Sequence, residues 1–410
     1  MRRLLFFVVL VIFACLISVG CKSSQDEEQA NAIKVWTGMD AEYPTLLKQC
    51  DEFTKATGIK VDVLKVPYND LRNKFLIAAP AGLGPDLVLG PQDWEGALAT
   101  AGMLDPIPEG TINEEEFFPV ALDSVKFNGQ TYQAPLCMEC IAIFRNKDLI
   151  PERPNTMKEL IEQAQKIQEE SKGNIRGFYF EVKNLYFSLP FLTAEGSYLL
   201  GKDESGNYVP TDIGLDTPGT LKGVEFLRDL VSKYKLIPLG ATNNISQTIF
   251  REGKAAMVVD GPWFLLDVKK DKKINYAIDP FPITDSGNIP KPVLGVQGFM
   301  LNKYAKHRDE AAKLISFLET DEKVAEMSMA SGRPPAKTGS LELCKDNPDI
   351  LSFAQICANA TPMPTHPAVS QIWEPTGQSL DLITKGQVEP AAELKSNYDR
   401  IVQKIELMLE

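Results

Sequence analysis

The chain has 410 residues, 44% of them hydrophobic and 24% charged, which is the balance of a globular protein long enough for two domains or one large one. Its net charge of −12 argues against nucleic acid as a partner, because a phosphate backbone is held by an excess of lysine and arginine. After Cys21 five cysteines remain, Cys50, Cys137, Cys140, Cys344 and Cys357, an odd number that leaves at least one unpaired in a monomer and excludes a disulfide-built scaffold.

In chain order, Arg2 and Arg3 precede an apolar run from Leu4 to Val19 that only Ser18 interrupts, followed by Gly20 and Cys21. This is a signal peptide pattern over residues 1–20, short for a membrane span. Small residues before a cysteine resemble a bacterial lipobox, with Ser18 in place of the usual leucine, so Cys21 is expected to carry lipid. The polar stretch from Lys22 to Gln29 reads as a flexible tether, and residues 21–31 form the anchor segment.

Beyond the tether, Ile33 to Trp36 is a strand. Tyr43 to Thr57 is a helix with Leu46, Leu47, Cys50 and Phe53 on its apolar face, stopped by Gly58. Ile59 to Val63 alternates as a strand, Asp70 to Ala79 is a second helix, and Pro85-Asp86 leads into strand Leu87–Leu89. Thr156-x-x-Glu159 is a capping box opening a helix to about Glu170, and Thr217-Pro218 opens another to about Tyr234. Gly177 to Phe180 and Ala255 to Val259 are strands, the latter fed by the segment Ser246–Arg251. The last third is helical over Asp309–Leu318, Asp321–Ala330 and Leu394–Leu409. Strands alternating with helices make the fold class α/β.

Several segments resemble the extracellular solute-binding proteins of ABC importers, most closely the maltose-binding branch. They are Thr57-Gly58-Ile59-Lys60-Val61, Gly84-Pro85-Asp86-Leu87, the stretch Pro135–Leu149 ending in Asn146-Lys147-Asp148-Leu149, Tyr186-Phe187-Ser188-Leu189-Pro190 and Gly261-Pro262-Trp263. The likeness runs in order from about Ile33 to Leu409. It implies a two-lobed periplasmic-binding-protein fold, each lobe a sheet flanked by helices, with the ligand in the cleft between them. The implied N-lobe is residues 32–137 plus 299–344 and the C-lobe residues 142–292 plus 350–410. Residues 138–141, 293–298 and 345–349 form the hinge, about which ligand closes the lobes. The resemblance further implies a monomer exported to the cell envelope or periplasm, delivering a sugar of the maltose or maltodextrin type to ABC permease subunits, with no cofactor.

A sugar offers an apolar ring face and a rim of hydroxyls, which aromatic rings and charged groups match. By resemblance Tyr186, Trp263 and Trp373 are stacking aromatics, Glu139 reads hydroxyls from the hinge, Asp93 and Asp40 are cleft aspartates, and Arg72 lies on a cleft helix. Four positions depart from the maltose-binding pattern. Gly90 replaces a stacking tryptophan, Trp94 replaces an arginine and takes over stacking or packs on its own helix, and Leu189 and Glu374 replace aromatics. A glycosidase using Glu139 with Asp93 or Asp40 is the alternative from another class. A metal-binding protein using Cys137-x-x-Cys140 with His307 or His366 is a third reading. Ser232-x-x-Lys235 and Lys337-Thr338-Gly339 imitate a penicillin-binding signature, but the serine ends a helix and no S-D-N lies between.

Overall fold

The computed structural model describes residues 31–204, 207–271 and 274–409. Cys21, the signal peptide and the tether Lys22–Gln29 lie outside the described residues.

The strands in chain order are β1 (Ile33–Thr37), β2 (Val61–Lys65), β3 (Leu87–Pro91), β4 (Leu104–Asp105), β5 (Lys126–Phe127), β6 (Gln130–Thr131), β7 (Gln133–Glu139), β8 (Ala142–Asn146), β9 (Arg176–Tyr179), β10 (Gly201–Lys202), β11 (Tyr208–Val209), β12 (Ala255–Asp260), β13 (Tyr276–Asp279), β14 (Val293–Asn302) and β15 (Thr361–Pro362). They build two principal sheets. The larger runs β15-β14-β3-β1-β2, with β4 and β7 also paired to β14. The smaller runs β13-β8-β12-β9. β1 is parallel to β2 and β3, whereas β14 is antiparallel to β3, β4 and β7.

Alternation divides the core of the larger sheet. Ile33, Val35, Leu87, Leu89 and Phe299 join Leu46, Phe53 and Leu314 in one cluster; Trp36, Val88 and Met300 join Phe75 and Trp94 in another. A third cluster surrounds the smaller sheet through Phe144, Phe178, Met257 and Phe264, and it also takes in Met138, Cys140, Ile141, Leu294 and Val296 from the segments between the sheets. The chain passes between the sheets at three places among the described residues: directly from β7 to β8, from β13 to β14, and through residues 333–350, after which Phe353 joins the smaller sheet's cluster.

Local signals explain the helix ends. Gly58 adopts a left-handed conformation (φ 77°) and its N–H donates to the Thr54 carbonyl at 2.8 Å, ending the helix Tyr43–Thr57. Glu159 N–H donates to Thr156 Oγ1 at 3.1 Å, and Glu159 reaches back one residue beyond the cap, accepting from Asn155 N–H at 2.7 Å. Thr220 N–H donates to Thr217 Oγ1 at 3.1 Å as the next helix opens.

Two expectations need correction. Leu47 is 41% exposed, because the face of its helix that meets the core carries Gln49 instead. The amide nitrogen of the buried Gln49 is satisfied: it donates to the Lys323 carbonyl and to Glu326, each at 3.0 Å. The strand expected at Ile59–Val63 lies two residues later, at β2, where among the described residues it pairs with β1 alone and keeps one face in solvent.

Candidate functional site

The site grows from the first pass between the sheets. β7 ends at Glu139 and β8 begins at Ala142, so Glu139 stands where one sheet gives way to the other. Opposite it on β14 is Gly295, where a Cβ would come within 2.9 Å of Glu139 Cγ; only a residue without a side chain lets the two strands lie this close. The Glu139 carboxylate is buried, and each of its oxygens accepts one hydrogen bond. Gln297 Nε2 donates to Oε1 at 2.8 Å and Arg333 Nε donates to Oε2 at 2.7 Å.

Arg333 extends this contact into a network. Its Nη1 donates to Glu42 at 2.6 Å, so one guanidinium bridges two buried carboxylates. Burial works against its charge, but Glu42 and Glu139 outweigh that and hold its pKa above the ordinary arginine value. Gln297 also donates to the Tyr68 hydroxyl at 3.2 Å. Burial, and then the Glu139 and Asp93 charges, push the Tyr68 hydroxyl well up. The backbone fixes the arginine in place: Met138 N–H donates to the Pro334 carbonyl at 2.7 Å, laying the third pass alongside β7.

Asp93 follows β3 on a single 3₁₀ turn. Burial pushes its carboxyl up to about 6, against the pull of Arg72, and the Glu139 charge adds to the rise. Arg72, half-buried on the helix Tyr68–Ala78, has a buried Nε with no hydrogen-bond partner among the described residues. Trp94 is 9% exposed and belongs to the core cluster behind β3. Its ring lies 6.0 Å from that of Tyr68, and a Cβ at Gly90 would meet its indole at 2.9 Å. The two departures at Gly90 and Trp94 are therefore one exchange: the indole occupies the space that a larger residue at position 90 would need.

The smaller sheet contributes the facing aromatics. Asn184 accepts the Tyr186 N–H at 3.1 Å and starts the helix Leu185–Thr193, which leaves Tyr186 half-buried. Burial, then Glu139, Cys140, Cys357 and Tyr68, push the Tyr186 hydroxyl well above its usual range, so this ring stands within electrostatic reach of the larger sheet's site. Trp263 lies 6.2 Å from Tyr186 at 45°, half-buried, its indole turned back over Gly261. Asp260 beside it is pushed up to about 7 by burial, with Gln247, the Gly261 N–H and Trp263 opposing. Trp373, half-buried at the start of the helix Trp373–Thr384, lines a groove of about 540 Å³ with Asn184, Leu185 and Glu181.

The structure thus brings Arg72, Asp93, Trp94, Glu139, Tyr186 and Trp263 around the first pass, and sets Trp373 beside the turn that presents Tyr186. Asp40 is different: its side chain is 74% exposed and paired with Lys65. Sequence reading missed Glu42, Tyr68, Gln297 and Arg333. One signal was available for Gln297, the polar residue within the otherwise apolar run from Val293 to Leu301.

Other constellations resolve differently. Cys137 lies in the larger sheet's core and Cys140 in the smaller sheet's, and among the described residues no group of three or more His, Cys, Asp or Glu is arranged to hold a metal ion. Ser232 Oγ donates to the Arg228 carbonyl, and Lys337 is bound to the Glu319 carbonyl and to Glu116.

Two sheets joined by crossing segments define the two-lobed fold of a solute-binding protein, with acids and an arginine on one side of the first pass and Tyr186 and Trp263 on the other. Residues 48–351 match the sequence profile of the family described as bacterial extracellular solute-binding protein, and the chain belongs to that family. It is 26% identical over 381 residues to the galactooligosaccharide-binding protein of Bacillus subtilis (strain 168), covering 90% of this chain and 88% of that one. It is 29% identical over 389 residues to the maltotriose-binding protein of Pyrococcus abyssi, covering 92% and 81%. The maltotriose-binding protein of Thermus thermophilus, solved with maltotriose bound, superposes with a TM-score of 0.84 at 30% identity, covering 91% of this chain and all of that one.

Proposed function

We propose that this protein captures a maltose-type oligosaccharide between its lobes and passes it to an ABC permease while tethered to the membrane by lipid on Cys21. The observation that carries the reading is the confrontation of Tyr186 and Trp263 with Glu139, Tyr68 and Asp93 across the first pass. Ring faces meet the apolar side of a pyranose, and fixed acceptors and donors meet its hydroxyls. Trp373 and Arg72 extend the two walls, Trp94 backs Tyr68 from the core, and Asp40 closes in from the rim. In this reading the lobes are residues 32–137 plus 299–344 and 142–292 plus 350–410, and they close about residues 138–141, 293–298 and 345–349. Arg333 and Gln297 hold the Glu139 carboxylate in one direction, so it acts as an oriented acceptor.

The test is a thermal-shift and calorimetric series over maltose, maltotriose, maltotetraose, galactose-built oligosaccharides and free glucose. A ligand that binds only the native state raises the melting temperature by mass action. Maltooligosaccharides are expected to give the largest shift. A larger shift with galactose-built sugars replaces the sugar and keeps the site; no shift with any sugar ends the reading. Hydrolysis of maltotetraose by the purified protein would instead point to a glycosidase.

A further inference from the structure

The passes between the sheets bring together two cysteines that lie 217 residues apart in sequence. Cys140 sits in the first pass, between β7 and β8; Cys357 is the last residue of the helix Pro348–Cys357, which follows the third pass. Their Sγ atoms are 3.2 Å apart, with the Cys357 thiol donating to Cys140, and both side chains are fully buried in the smaller sheet's cluster.

The other three described cysteines stand elsewhere. Cys50 and Cys137 belong to the larger sheet's core, and Cys344 packs with Ala325 and Ile350. Cys137 is close to Cys140 only along the chain. Three residues of extended strand span roughly 10 Å, beyond the Cα separation of about 7 Å that a disulfide tolerates. The fold therefore singles out one pair from five candidates.

We propose that Cys140 and Cys357 are joined by a disulfide bond in the exported protein. The family is extracellular, and disulfides form and persist outside the cytoplasm; the proposal rests on export of this chain. The oxidant is by class a protein disulfide, such as a dithiol oxidase of the cell envelope. One cysteine thiolate attacks a sulfur of that disulfide, giving a mixed disulfide, and the second cysteine attacks the sulfur of the first. One S–S bond forms and one breaks, and the two electrons and the two thiol protons pass, the protons through solvent, to the oxidant, which departs as a dithiol. Since both side chains are fully buried in the finished fold, the exchange takes place before the core closes, and folding selects the partner.

The bond has a mechanical consequence. It fastens Cys140 to the helix Pro348–Cys357 on the side of the smaller sheet. Within the first pass, bending is then confined to Met138 and Glu139, just ahead of it, which sets that strand's pivot at the carboxylate that Arg333 and Gln297 hold.

The test uses the full-length protein. It is isolated from the membrane fraction, unfolded in denaturant with iodoacetamide, digested without reduction and mapped by mass spectrometry. A peptide containing Cys140 linked to one containing Cys357, with carbamidomethyl groups on Cys50, Cys137 and Cys344, is the expected result. Alkylation of all five, or a bridge to another cysteine, overturns the proposal. A second arm refolds the purified protein in reduced and oxidised glutathione and maps it in the same way. If the bridge forms there and is missing from protein in the membrane fraction, the proposal falls on compartment and the geometry stands. Recovery of the protein in the cytosolic fraction with all five thiols free counts against export and the bridge together. Absence of the bridge in both arms means the pairing itself is wrong.

Discussion

Replacing Arg333 by methionine keeps most of the stem and removes the charge, leaving Glu42 and Glu139 facing each other in a buried space with no cation between them. Their side chains are 1% and 10% exposed, so water does little to compensate. The variant loses two charge-assisted hydrogen bonds, of 2.6 and 2.7 Å, each worth about 1.5–3 kcal/mol. Breaking a buried ion pair from one side costs about 3–5 kcal/mol in general, and we expect a loss in that range. Urea denaturation at neutral pH measures it. Two further outcomes separate this cause from simple loss of packing. Adding Glu42→Gln to Arg333→Met should recover part of the loss, because it removes one of the two stranded charges. Acid should help the single variant: a carboxylate stripped of its cation takes up a proton more readily when folded than when unfolded. The stability so gained is present below the unfolded carboxylate pKa, about 4.3, and is lost as pH rises through the folded value. If Arg333→Met lies within about 1 kcal/mol of wild type at neutral pH, or Glu42→Gln deepens its loss, the network is not what holds the first pass.

Glu319 is buried with both carboxylate oxygens unpartnered among the described residues, and burial pushes it up to about 8 despite Lys337. Its folded pKa is raised, so wild-type stability falls as pH climbs from about 4.5 to about 8; Glu319→Gln should melt higher than wild type at pH 8, with the gap closing toward pH 4.5. In sugar titrations, Trp263→Ala should weaken binding by about 1–3 kcal/mol nearly uniformly across a maltooligosaccharide series. Glu139→Gln should change the ranking within that series, and calorimetry on both variants would expose the reverse pattern. Because Glu139 also neutralises Arg333, its glutamine variant should be less stable than Trp263→Ala, which is checked by melting both without ligand. Cys21→Ala should abolish lipidation and shift the protein out of the membrane fraction or stall its processing; an intact mass showing no lipid on wild type would refute the anchor.

Much of the architecture could be read locally. The helix Tyr43–Thr57 was bounded correctly because Pro44 and Gly58 act within one turn, and the caps at Thr156 and Thr217 behave as their side chains dictate. Local signals carried less where a second partner decides the outcome. Leu47 looks like a core residue until Gln49 finds the Lys323 carbonyl, and that carbonyl lies 274 residues away. The site divides in the same way. Glu139 and Trp263 were visible through resemblance, and Glu139 also because a carboxylate is chemically out of place among Leu136, Met138 and Ile141. Arg333 was not, since nothing nearby in sequence reveals that it meets carboxylates 194 and 291 residues distant. Gly90 and Trp94 were seen separately as two departures; only their contact makes them one.

The position of β14 in the larger sheet bears on how the chain comes into being. β1, β2 and β3 are synthesised first, yet the strand that covers β3 arrives late; Gln92, just past β3, bonds the Leu294 carbonyl across 202 residues. Every strand of the smaller sheet, from Ala142 to Asp279, emerges before it. In a chain delivered from its N-terminus, the sheet that begins second is therefore the first whose strands are all present, although its cluster still waits for Phe353 and Ile405. The opening three strands wait with a bare edge on β3, the kind of surface that invites pairing with other chains. During export that edge has to be kept covered until some three hundred residues have been made.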